Sequence, residues 1–154
     1  MSVNGKGLQG LQTIFKSLLA GQVFFFAAML FIKYKKDIPD SGEQVNKLLQ
    51  IGVLLVSFAA LIGGNKLFNK KTGLLRDAGL VFQEKFALYQ KASIIKWAMT
   101  ETACIATVVS YFVTGNYAFI ALAIVLMLIF SSYYPIKIKV VQQLGLNEQD
   151  QTAL

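Results

Sequence analysis

The chain has 154 residues, of which 55% are hydrophobic and 15% charged, where soluble domains carry about 25% charged residues; its net charge is +7. It has no His and a single cysteine, Cys104, which excludes imidazole and multi-cysteine metal sites, Ser-His and Cys-His dyads, and an internal disulfide. The length suits one domain, and apolar residues gathered into blocks point to an integral membrane protein.

The first apolar block predicts a span over about 11–32, interrupted by Lys16 and Gln22. It is longer than the roughly 7–15 residues of a signal-peptide core, and Lys33, Lys35 and Lys36 follow it directly, so it reads as a retained anchor. "DIPDSGEQ" comes next. Pro39 breaks helix, Ser41 with Gln44 fits a capping box, and Asp40 and Glu43 favour a helix N-terminus. A second helix is expected from near Gly42, crossing the membrane over about 48–67. Ala59, Ala60, Gly63 and Gly64 supply two overlaid small-xxx-small pairs, which let a neighbouring backbone approach.

"NKKTG" reads as the end of that span. From 75 to 92 the pattern becomes amphipathic: Ala78, Phe82, Phe86 and Tyr89 share one helical face, and Arg76, Asp77, Gln83, Glu84, Gln90 and Lys91 are polar. No breaker follows, so this helix is expected to run into a third span over about 94–113. "TGN" closes it, with Gly115 suited to a left-handed C-cap and Asn116 to the next N-cap. The fourth span is expected over 117–134, antiparallel to the third and stopped by Pro135.

The expected fold class is therefore all-α integral membrane: four transmembrane helices in one bundle, residues 1–154 as a single domain, with an amphipathic cytoplasmic helix leading into the third span. Eleven cations fall on the side of the termini and of the connection between spans two and three, and Lys33, Lys35, Lys36 and Lys47 fall on the other. That bias orients both termini to the cytoplasm and places the chain in the cell inner membrane. Because the cations flank apolar runs, and no stretch interleaves them with aromatics for base recognition, their expected partner is the anionic headgroup layer, not nucleic acid.

Glu101 is the one carboxylate inside a predicted span, about 10 Å below its cytoplasmic boundary. Lys96, five residues earlier, points elsewhere around the helix. Lys16, entering the first span from the same side, is the candidate partner in a buried Lys16–Glu101 ion pair. Beside Glu101 runs a stripe of Ala98, Thr102, Ala106 and Ser110, a candidate packing seam to set beside Ala60 and Gly64 of span two.

Residues 84–116, "EKFALYQKASIIKWAMTETACIATVVSYFVTGN", resemble a group of small uncharacterised four-span membrane proteins of the Bacteroidetes type. In that group "YQxAxIIRxAxxE" leads into an apolar span ending in "TGN". The matching positions are Tyr89, Gln90, Ala92, Ile94, Ile95, Lys96, Ala98 and Glu101, then Thr114, Gly115 and Asn116. The group often has Arg where this chain has Lys96, and Gly where it has Thr102. The resemblance implies the four-span layout and assigns no activity.

No nucleophile-base pair, metal cluster or phosphate loop is visible, so neither an enzyme nor a cofactor is expected. The expected function is a non-enzymatic membrane protein, a small accessory or scaffold subunit of a membrane complex or a homo-oligomer. The alternative is a proton- or cation-coupled small-molecule carrier that titrates Glu101.

Overall fold

A computed structural model describes residues 6–36, 39–77 and 79–146, which form five helices: α1 (Lys6–Lys36), α2 (Glu43–Asp77), α3 (Phe82–Thr114), α4 (Tyr117–Ser132) and α5 (Lys137–Leu144). Helices α1 to α3 are long and apolar enough to cross a membrane. Helix α4 and helix α5, bent by 72° at the break between them, make a fourth if taken as one span.

Helix α3 is the central element. Helices α1, α2 and α4 all pack against it, and 44% of its most apolar window is buried, against 11% for α1 and 17% for α2. The outer helices therefore leave most of their apolar surface uncovered, as lipid-facing helices do. At about 1.5 Å per residue the 31, 35 and 33 residues of α1, α2 and α3 extend ~46–52 Å, well beyond a hydrocarbon core of about 30 Å.

That surplus length is used at the end where α1 begins, α2 stops and α3 begins. There Leu11, Phe15, Phe68, Leu75, Phe86, Tyr89, Trp97, Phe130, Val140 and Leu144 form the largest core cluster. Phe15 lies at its centre. Its ring meets Trp97 edge-on with centroids 5.0 Å apart, stacks on Phe130 at 4.8 Å and meets Tyr134 edge-on at 5.5 Å. One side chain of α1 thus contacts α3, α4 and the segment after α4. Two hydrogen bonds reinforce the docking: Gln12 Nε2 donates to the Pro135 carbonyl at 2.9 Å, and Gln90 Nε2 to the Gly7 carbonyl at 3.2 Å. Gly7 is needed where α1 approaches α3, since a Cβ there would stand 2.8 Å from the Phe86 ring.

At the opposite end the α3–α4 turn has the predicted chemistry. Gly115 adopts φ 68°, its N–H donating to the Tyr111 carbonyl, and the Asn116 side chain accepts from Ala118 N at 2.9 Å. The segment before α2 and the first turn of α2 close over this turn. Ser41 N donates to the Val113 carbonyl at 3.2 Å, and Asn116 Nδ2 to Asn46 Oδ1 at 3.0 Å. The Asp40 carboxyl, paired with Lys33 Nζ at 2.7 Å, occupies the space a Cβ on Gly115 would need.

Four expectations are corrected. Helix α2 does not end at "NKKTG" but runs to Asp77, because Phe68, Thr72 and Leu75 form a buried stripe at helical spacing, with Thr72 Oγ1 bonded back to the Phe68 carbonyl at 2.9 Å. The predicted helix over 75–92 is accordingly divided: 75–77 belong to α2, Gly79–Val81 to the connection, and Phe82 onward to α3, which does continue unbroken to Thr114; Ala78 lies outside the described residues. The Ser41–Gln44 capping box is not made, since Ser41 Oγ is buried without a hydrogen-bond partner and its backbone is used against α3 instead. Finally, helix α4 stops at Ser132, two residues before the end expected for the fourth span, and Pro135 turns the chain into α5, which the sequence reading did not anticipate.

Removing the central ring should release several elements together. Phe15→Ala is expected to cost about 3–5 kcal/mol of stability. Phe24→Ala, at a position 76% exposed, should stay within about 0.5 kcal/mol. Thermal unfolding of both variants in mild detergent checks the contrast.

Candidate functional site

Among the described residues, two of the places that combine polar chemistry with incomplete packing lie on α3. The first is a cavity of about 270 Å³ at the end where Phe15 is clasped. Helix α3 lines it with Tyr89, Ser93, Lys96 and Trp97, which recur at four, three and one residues and so share a face. Helix α2 contributes Phe68, the end of α4 and its turn Ser132, Tyr133, Tyr134 and Pro135, and α5 Lys139 and Gln143.

The cavity wall is held in place by its own polar contacts. Tyr89 Oη donates to Gln143 Oε1 at 2.8 Å, tying α5 to α3. Asn65 Nδ2 donates to Tyr133 Oη at 3.3 Å, tying α2 to the α4–α5 break. The Lys96 ammonium sits over the Tyr133 ring, 3.6 Å from its centroid, and 4.9 Å from that of Phe68. Aromatic faces attract a cation but do not neutralise it. Lys139 Nζ donates to the Ser132 carbonyl at 2.9 Å, where the last carbonyls of α4 lack intrahelical partners. No Asp or Glu is among the lining residues, so two ammonium groups share the cavity with hydroxyls and an amide.

The second place is the outward side of α3. Glu101 is partly exposed and, among the described residues, its carboxylate makes neither a hydrogen bond nor an ion pair. The predicted Lys16–Glu101 pair is not formed: the ion pairs among the described residues are Lys33–Asp40 and Lys47–Glu43. The reason lies in the register of α1. Leu8, Leu11, Phe15 and Gln22 are its buried positions, and Lys16, about 100° further round than Phe15, is exposed along a shallow apolar groove with Leu19, Val23 and Phe24.

The predicted packing stripe is split. Ala60 and Gly64 of α2 are buried, Ala60 beside Ala103 and Cys104, Gly64 beside Lys96 and Met99. On α3, Ser110 is buried and Ala106 half-buried, but Ala98 and Thr102 are exposed. The face of α3 that packs is instead Ser93, Trp97, Thr100, Ala103, Cys104, Thr107, Val108 and Tyr111. Its threonine hydroxyls bond back to the preceding turn, Thr100 Oγ1 to the Lys96 carbonyl at 3.1 Å and Thr107 Oγ1 to the Ala103 carbonyl at 2.8 Å. They therefore pack as small, satisfied side chains.

Sequence reasoning missed the cavity. The stripe Tyr89, Ser93, Lys96 and Trp97 was available as a signal, but the opposite wall depends on the bend at Ser132–Pro135 and on α5 bringing Lys139 and Gln143 across. It also missed that the Gln22 side chain, 3% exposed, and Ser57 Oγ are buried without hydrogen-bond partners. No protein-family model matches the chain, and no curated protein or solved structure is detectably similar to it.

A buried amide with neither oxygen nor nitrogen satisfied carries a desolvation cost of about 1–3 kcal/mol. Gln22→Met, of similar length and without that amide, is expected to raise stability by a comparable amount, read as a higher unfolding midpoint in detergent. A lower midpoint would show that the amide is satisfied in the membrane-embedded protein.

Proposed function

We propose that the chain is a non-enzymatic integral membrane protein, a small accessory or scaffold subunit that works in a membrane complex or as a homo-oligomer. In this reading four spans form one bundle, with α4 and α5 as a broken fourth crossing. The amphipathic stretch that begins α3 turns Phe82, Phe86 and Tyr89 inward. Both termini face the cytoplasm of the inner membrane, with the basic end against anionic headgroups. The likeness of residues 84–116 to the Bacteroidetes four-span group supports the same layout.

Glu101 carries the assembly reading. An acid within a span costs up to about 2.5–3.5 kcal/mol at mid-membrane and less nearer the surface, unless protein groups shelter it. This chain offers Glu101 no donor among its described residues, yet sets it beside exposed Ala98 and Thr102, where a second helix can approach closely. A helix from another copy or subunit that supplies a hydrogen-bond donor satisfies both features.

The carrier alternative draws on the same unpaired carboxylate, together with the unpartnered Gln22 and Ser57 in the interior. It has lost Lys16 as a modulating partner.

Native mass spectrometry in mild detergent is expected to show an oligomer or a co-purifying subunit. Glu101→Gln should weaken that association about 3- to 18-fold, the range of an interhelical hydrogen bond, while helicity is retained. A lone monomer with no partner for the parent protein would refute the assembly reading. Intact assembly with loss of proton-driven uptake in Glu101→Gln proteoliposomes would favour the carrier.

A further inference from the structure

We propose that the cavity between α3 and the α4–α5 break is a phosphate-binding site, suited above all to the headgroup phosphate of an anionic phospholipid. Lys96 and Lys139 bring two positive charges to one small volume, and no lining carboxylate offsets them. Like charges that line one cavity repel each other. An arrangement of this kind is stabilised when an anion enters. The remaining polar groups suit phosphate: Ser93 and Tyr134 line the cavity as hydroxyls, and lysine binds phosphate as a compact point charge.

Depth and shape favour a lipid over a soluble phosphate. Lys96 lies two residues inside the predicted third span, and Trp97, Tyr133 and Tyr134 are residue types of the membrane–water boundary. Phospholipid phosphates occupy that level. The Phe68 and Trp97 walls suit the glycerol stem of a lipid, and a volume of about 270 Å³ exceeds what one phosphate group fills. Phosphate lies at the surface of both leaflets, so the site does not depend on which side of the membrane this end faces. Nor does it depend on Glu101 or on assembly, which concern the outward side of α3.

The test uses the full chain in uncharged detergent, titrated with phosphatidylglycerol, phosphatidylcholine or inorganic phosphate, with bound ligand read by native mass spectrometry. Phosphatidylglycerol is expected to be retained over phosphatidylcholine, and its affinity to fall about tenfold for each lysine removed in Lys96→Gln and Lys139→Gln. Lys96→Arg should keep most of it. Lys70→Gln with Lys71→Gln, exposed positions outside the cavity, removes twice the charge of either single cavity variant and should leave binding nearly unchanged. Displacement of the lipid by inorganic phosphate at millimolar concentration would keep the site and assign it to soluble phosphates. Lys139 is exposed, so Lys139→Gln with unchanged circular dichroism decides the matter even where a Lys96 variant does not fold. Equal loss in the cavity and control variants, or no loss in either, overturns the assignment.

Discussion

The seating of Phe15 between Trp97, Phe130 and Tyr134 is the contact on which this architecture depends. Helices that lie in lipid gain little from burying apolar surface against one another, because acyl chains are as apolar as leucine. Close aromatic packing at a helix crossing does not have that limitation, since it draws on dispersion and ring geometry. Here it joins α1, α3 and the end of α4 at one point. Everything else at this end follows from that junction: Gln12 reaches Pro135, α5 folds back under α2, and Val140 and Leu144 complete the core.

The same junction builds the polar cavity. Trp97 faces Phe15, and Tyr89, Ser93 and Lys96 lie alongside it on the same helix, so orienting Trp97 inward also orients them. The α4–α5 bend then brings Lys139 and Gln143 across from them. Turning α3 in this way has a second consequence. It directs Ala98, Thr102 and Glu101 to the outside, and a seam that looks internal in the sequence becomes available to another chain.

Polar groups are unevenly served. The hydroxyls of Thr100, Thr107, Ser110 and Thr114 on α3 are satisfied within their own helix, which lets the central element carry them at no hydrogen-bonding loss. Gln22 and Ser57 have no such arrangement, and Glu101 has neither an internal partner nor full exposure. Among the described residues these three unserved groups sit on three different helices, α1, α2 and α3.

Apolar block length, the cations around the blocks and the glycine–asparagine pair at 115–116 were legible without coordinates. They follow from local physics: the thickness of a bilayer, the hydration of a charge, and the freedom of glycine at positive φ. Helical class, helices long and apolar enough to cross a membrane, and the tight α3–α4 turn were therefore determined by the sequence alone. Which face of a helix turns inward was not. Phe15 and Lys16 are adjacent, and nothing local states that the ring docks while the ammonium turns away. Only the tertiary contacts decided that, and with it the separation of Lys16 from Glu101, the extension of α2 past its lysines and the cavity around Lys96. Rotation about a helix axis costs no backbone hydrogen bond, so it is settled by long-range packing between residues far apart in the chain.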